Sequence, residues 1–242
     1  MNASPATLPV TLLALDTATT GCSVCVWRDG QVLAAQAQIM ARGQAQELMV
    51  MVDQVLAQAK VEPAGLDAIA VTRGPGAFTG LRIALATARG FALALGVPCV
   101  GVTTLEAVAQ GVPASERTDR TVLACVESKR EDIYVQLFSN ELRPLSEPLA
   151  CDAAALKGLF APGERVSLVG DASQRALDML GGADLDAVLS AAAPLPEAAI
   201  IARLAAAQLN QASLDQVQNM PEPLYLRPPD AKLPKAQGRL RG

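Results

Sequence analysis

Apolar runs broken by glycine, proline and Asp/Thr clusters predict an alternation of strands and helices along this chain. The first run, at 10–15, ends in Asp16 and a hydroxyl-rich turn, Thr17-Ala18-Thr19-Thr20-Gly21. A second strand is expected at 22–27, then Arg28-Asp29-Gly30 as a hairpin turn, then a third strand at 31–37. Leu48, Met51, Val52, Val55 and Leu56 fall at helical spacing and predict an amphipathic helix at 44–59. A buried strand follows at 68–71. After a glycine-rich loop, Leu81, Ala84, Leu85, Ala88 and Ala92 mark a second helix. Further expectations are a strand at 98–102, a threonine-capped helix at 104–110, strands at 122–126, 133–138 and 166–169, and helices at 152–159, 172–180 and 196–211. The polar stretch 111–120, with Pro113, reads as an interdomain connection.

The loop Arg73-Gly74-Pro75-Gly76-Ala77-Phe78-Thr79-Gly80-Leu81-Arg82 stands between a strand and a helix N-terminus, where backbone amides can face an anion. Its glycines permit positive φ and close backbone approach, and Pro75 removes freedom. It lacks the lysine of a Walker loop and the spacing of a dinucleotide fingerprint. Two readings of this region are open. In one, Asp16 holds a metal-bound water while Thr17, Thr19, Thr20 and the amides of Gly74 and Gly76 surround phosphates, giving a weak ATPase. In the other, Asp16 and its threonines only bond their own turn. The small residues of the second helix are equally two-sided: they fit the helix onto its sheet, or they let a partner helix approach.

Composition narrows the chemistry. Without histidine, a His-based metallopeptidase and a Ser or Cys hydrolase with a histidine base are both excluded. The five cysteines sit mostly in apolar runs and read as buried free thiols of a reducing, cytoplasmic setting; Cys22 and Cys25 should face opposite sides of their strand. A net charge of −4 and an aromatic content of 3% argue against a principal RNA surface and against base-stacking platforms. Charge is uneven, with five basic residues and one acidic between 227 and 242, a tail predicted to be disordered. No targeting signal and no stretch long enough to span a bilayer are read in the sequence.

A strand ending in Asp16, a hydroxyl-rich turn and two antiparallel strands resemble the opening of the actin-like ATPase superfamily. Together with residues 73–82, Gly101-Val102-Thr103-Thr104-Leu105 and Pro223-Leu224-Tyr225-Leu226-Arg227, the segment Leu13-Ala14-Leu15-Asp16-Thr17-Ala18-Thr19 resembles the bacterial TsaB (YeaZ) family. Two positions depart from that family's pattern: the charged turn Lys129-Arg130-Glu131-Asp132, and Gln44, where related sequences often carry histidine. The resemblance implies an α/β, two-lobed actin-like (ribonuclease H-like) fold with mixed sheets flanked by helices. It places a first lobe at 1–110, a reduced second lobe at 111–195, a returning helix and segment at 196–227, and the basic tail at 228–242. It implies a noncatalytic subunit of tRNA threonylcarbamoyladenosine synthesis that pairs with a TsaD catalytic subunit and a TsaE ATPase, meets tRNA mainly through that complex, and dimerises when alone. Leu48, Met51, Val52, Val55, Ala84, Ala88 and Ala92 are the expected partner interface. No tightly bound cofactor is expected, with ATP or ADP placed at the subunit boundary. A weak ATPase or kinase-like enzyme is the alternative.

Overall fold

The computed structural model describes residues 10–211 and 220–227. The first lobe is a five-stranded sheet of β1 (Thr11–Asp16), β2 (Gly21–Arg28), β3 (Gln31–Ile39), β4 (Ala68–Thr72) and β5 (Cys99–Val102), in the order β3-β2-β1-β4-β5. β1, β2 and β3 form an antiparallel meander, and β4 and β5 add to β1 in parallel. The meander turns at Asp29 and Gly30, both at positive φ, the geometry an Asp-Gly hairpin favours. The second lobe repeats the plan with β6 (Thr121–Glu127), β7 (Ile133–Phe138), β8 (Leu149–Cys151), β9 (Glu164–Val169) and β10 (Leu185–Leu189), ordered β10-β9-β6-β7-β8. Each lobe is thus a meander followed by two parallel strands. The second lobe has a full sheet; its reduction lies in the helices.

Alternation along the strands sorts the core into layers. Leu13, Leu15, Cys22, Val24, Val26, Ile69 and Val71 face α1 (Gln44–Ala59) and α2 (Phe78–Leu95). Leu12, Ala14, Cys25, Ala68, Ala70, Val100 and Val102 face α6 (Ala198–Gln211), through Ala198, Ile201, Ala202, Ala205 and Ala206. Cys22 and Cys25 therefore lie on opposite faces, as period-two geometry requires. Burying one such Leu, Val or Ile side chain contributes about 1.5–3 kcal/mol, so α6 is a structural part of the first lobe. In the second lobe α3 (Thr104–Ala109) covers one face with Leu105, Val108 and Ala109, and its cap Thr103 accepts the Glu106 amide at 3.1 Å. The other face packs under α4 (Ala153–Lys157) and α5 (Ser173–Met179).

Residues 220–227 run as an extended strap over the first lobe. Leu224 donates its amide to the Arg73 carbonyl at 2.6 Å, and Arg89 donates to the Pro221 carbonyl at 2.5 Å. By length and hydropathy α2 is the one described helix that could cross a bilayer, contrary to the sequence reading. It carries Arg82 and Arg89 and buries Gly80, Leu81, Ala84, Leu85, Ala88 and Ala92, which makes it a core helix. The predicted disordered tail at 228–242 lies outside the described residues.

Candidate functional site

The first turn is closed by its own chain. Asp16 is 1% exposed, and its Oδ1 accepts both the Thr72 hydroxyl at 2.5 Å and the Ala18 amide at 3.0 Å. Thr17 is fully buried and donates to the Gly80 carbonyl at 2.6 Å. The Ala77 amide, at the mouth of the glycine-rich loop, donates to the Ala18 carbonyl at 2.7 Å. The loop thus occupies the side of the turn that the ATPase reading assigns to phosphate. Its glycines serve close approach: a Cβ at Gly76 or Gly80 would lie well inside 3.0 Å of the Ala18 or Thr17 carbonyl oxygen. Only Gly74 of the three has positive φ, at 108°, and a Cβ there would meet the Leu224 carbonyl oxygen of the strap at 2.8 Å.

Burial pushes the Asp16 carboxyl up from 3.8 to about 6, against the lowering effect of the Thr72 and Ala18 bonds, and the charge of Asp171 adds to the rise. Asp171, just past β9 in the second lobe, is also raised by burial to about 6, although the Glu127 amide donates to it at 2.9 Å. Sequence reasoning found no acid in the second lobe; the signal was Val169-Gly170-Asp171, a strand-end acid that parallels Leu15-Asp16. Between the lobes is a cleft of about 280 Å³ lined by Ala18, Thr19, Thr20, Ala77, Glu127, Lys129 and Asp171. Thr19 Oγ1 is buried there and has no hydrogen-bond partner among the described residues. Glu127 and Asp171 make the opposite wall acidic, unsuited to bare phosphate. Among the described residues no group of three or more Cys, Asp or Glu side chains is placed to hold a metal.

The seven expected interface residues must be reassigned. Leu48, Met51, Val52, Val55, Ala84, Ala88 and Ala92 are at most 4% exposed and form the core between α1, α2 and the sheet. A helix meets its own sheet along its most apolar stripe, and that stripe is what their spacing marked. The outward face of the same helices is also apolar: Met49 and Val50 of α1 are exposed, and on α2 Leu93 is 80% exposed, beside exposed Ala86, Gly90 and Ala94. A Cβ built at Gly90 meets nothing within 4 Å. Ile39, at the end of the neighbouring edge strand, is 78% exposed.

The second large opening, about 690 Å³, lies where the glycine-rich loop, the 128–130 turn and the strap meet. Arg82 lies 3.7 Å over the Phe78 ring and donates to Tyr225 Oη at 3.2 Å, while Arg227 of the strap pairs with the buried Asp132 of the second lobe.

The family model for TsaD, tRNA N6-adenosine threonylcarbamoyltransferase, matches residues 32–235. The chain is 38% identical over 123 residues to the tRNA threonylcarbamoyladenosine biosynthesis protein TsaB of Escherichia coli, a match covering 51% of this chain and about half, 52%, of that protein's length. It is 32% identical to an uncharacterized protein of Mycobacterium tuberculosis over 92% of this chain and 94% of that one. Among solved structures, YeaZ from Pseudomonas aeruginosa superposes with a TM-score of 0.73 at 28% identity, over 90% of this chain and all of that one. The chain belongs to the family described by this TsaD model, alongside its TsaB (YeaZ) members.

Proposed function

We propose that this chain is a noncatalytic, cytoplasmic subunit of tRNA threonylcarbamoyladenosine synthesis that docks on a TsaD-type catalytic subunit through the outward face of α1 and α2. The observation that carries the reading is the set of exposed apolar residues on these helices, Met49 and Val50 of α1 and Leu93 of α2, together with exposed Ala86, Gly90 and Ala94 of α2. Exposed apolar surface of this kind calls for a partner, and the small residues of α2 let a second pair of helices come close. In the absence of that partner the same face pairs two copies of the chain. A TsaE-type ATPase joins the assembly, and any ATP or ADP is held at the boundary between subunits.

The closed first turn supports a subunit without its own chemistry, since Asp16 Oδ1 and the Thr17 hydroxyl are both engaged within the chain. One observation favours the runner-up, a weak nucleotide-handling enzyme: Asp171 lines the interlobe cleft, and its charge adds to the rise of the buried Asp16 carboxyl. Co-purification with TsaD separates the two readings. Leu93→Glu should keep the fold, lose TsaD, and fail to restore the modification in cells lacking the native chain. If Leu93→Glu binds TsaD as the parent does, the docking face is wrong. ATP turnover by the isolated chain that is lost in Asp171→Asn would establish the enzyme reading instead.

A further inference from the structure

The opening beside the strap has a composition that the chain as a whole does not. Its described lining includes Arg82, Lys129, Arg130 and Arg227 and no acidic residue, in a chain whose net charge is −4. It also gathers three of the seven aromatic residues, Phe78, Tyr134 and Tyr225, and two of these, Phe78 at 44% and Tyr225 at 41% exposure, are open to solvent. The Phe78 and Tyr225 rings lie 5.4 Å apart at 30°. Arg82 stacks on one ring and is bonded to the other, so the three side chains form one linked cluster of stacking surfaces. Arg227 is held in place by its pair with Asp132, and an opening lined by cations and no carboxylate draws anions toward it. A guanidinium and aromatic platform stacks on the face of a base, and cations at its edge meet phosphate. Beyond Arg227, at the rim of this opening, the sequence carries four more Lys or Arg residues and one Asp, a charge that suits a polyanion better than one phosphate group.

We propose that this cavity seats an unpaired nucleotide of an RNA strand, its base against the Arg82, Phe78 and Tyr225 platform and its flanking phosphates against Lys129, Arg130 and Arg227. The proposal rests on the tRNA-modification reading only for the choice of RNA as the polyanion. The site exists only with the strap in place, because Tyr225 and Arg227 belong to it.

Fluorescence anisotropy on the full chain tests this with a labelled RNA hairpin carrying an unpaired loop, a blunt RNA duplex and free ADP. The hairpin should bind more tightly than the duplex. Arg82→Ala and Lys129→Glu should each weaken it about tenfold, and Lys129→Glu should also lower the salt slope by about one ion. Lys157→Glu, on α4 outside the cavity, should change little. The proposal is overturned if Lys157→Glu weakens binding as much as Lys129→Glu, if duplex and hairpin bind alike, if ADP binds and the hairpin does not, or if no RNA binds at all. TsaD co-purification on the same variants keeps the two readings apart: Arg82→Ala that loses the hairpin and keeps TsaD supports this site without touching the docking face.

Discussion

Replacing Asp16 with asparagine should stabilise the protein at neutral and alkaline pH. The carboxyl is buried, and its folded value of about 6 stands some two units above its ordinary 3.8. At about 1.36 kcal/mol per unit, ionising it inside the first lobe costs about 3 kcal/mol. The sign follows from proton binding. Between pH 4 and 6 the folded chain holds a proton that the unfolded chain has released, so stability falls as pH rises through this window and stays low above it. Below pH 4 both states are protonated and the cost vanishes. Asparagine can accept the Thr72 and Ala18 bonds through Oδ1 without ever ionising; a loss of about 1 kcal/mol for imperfect bonding leaves a net gain of about 2 kcal/mol at pH 8. Urea unfolding followed by Trp27, the single tryptophan, on β2 of the same lobe, reads this directly. The variant should unfold at the lower midpoint at pH 3, by about 1 kcal/mol, and at the higher one by pH 8, the order reversing in between. An Asp16→Asn variant less stable than the parent at pH 8 would refute the argument and mean that the carboxylate is held ionised.

Gly80→Ala should destabilise by at least about 3 kcal/mol in thermal unfolding, since its methyl collides with the Thr17 carbonyl and backbone cannot give way as a side chain does. Ala88→Arg should unfold the first lobe, because the guanidinium would enter the core between α2 and the sheet, whereas Leu93→Glu five residues on should leave the midpoint within about 0.5 kcal/mol; circular dichroism melts of the pair decide it. Burial holds Cys22, Cys25 and Cys99 up to about 12 and raises Cys125 and Cys151 as well, so a disulfide reagent at pH 8 should label no thiol on the native chain and five after unfolding.

Strands whose two faces are both covered were the easiest to read: the continuous apolar runs at β1 and β4 have no competing periodicity. β8 escaped because three residues carry no pattern, and β10 because its edge strand Leu185–Leu189 is largely exposed and includes a charge. Helical spacing located the stripe of Ala84, Ala88 and Ala92, but spacing says only that residues share a face. Which side of α2 meets the sheet was decided by Ile69 and Val71 beneath it. At the loop, glycine was visible and its purpose was not, since the carbonyls of Thr17 and Ala18 approach from a segment roughly sixty residues earlier. The cavity at the strap joins side chains from loop, turn and terminus, and low aromatic content hid it: few rings can still make a platform when the fold brings them together.

The dependence of the first sheet on α6 has a consequence for synthesis. While the ribosome is still translating the second lobe, Leu12, Ala14, Ala70 and Val102 have no cover, because the helix that will shield them has not been made. At about 5–20 residues per second, the interval from Val102 to Ala198 lasts roughly 5–20 s. The second lobe suffers no such delay, since α3 precedes its strands and α4 and α5 are interleaved with them. The half of the molecule translated first is thus completed last, and a nascent chain presents an apolar sheet face to chaperones for about two-fifths of the time its 242 residues take to translate.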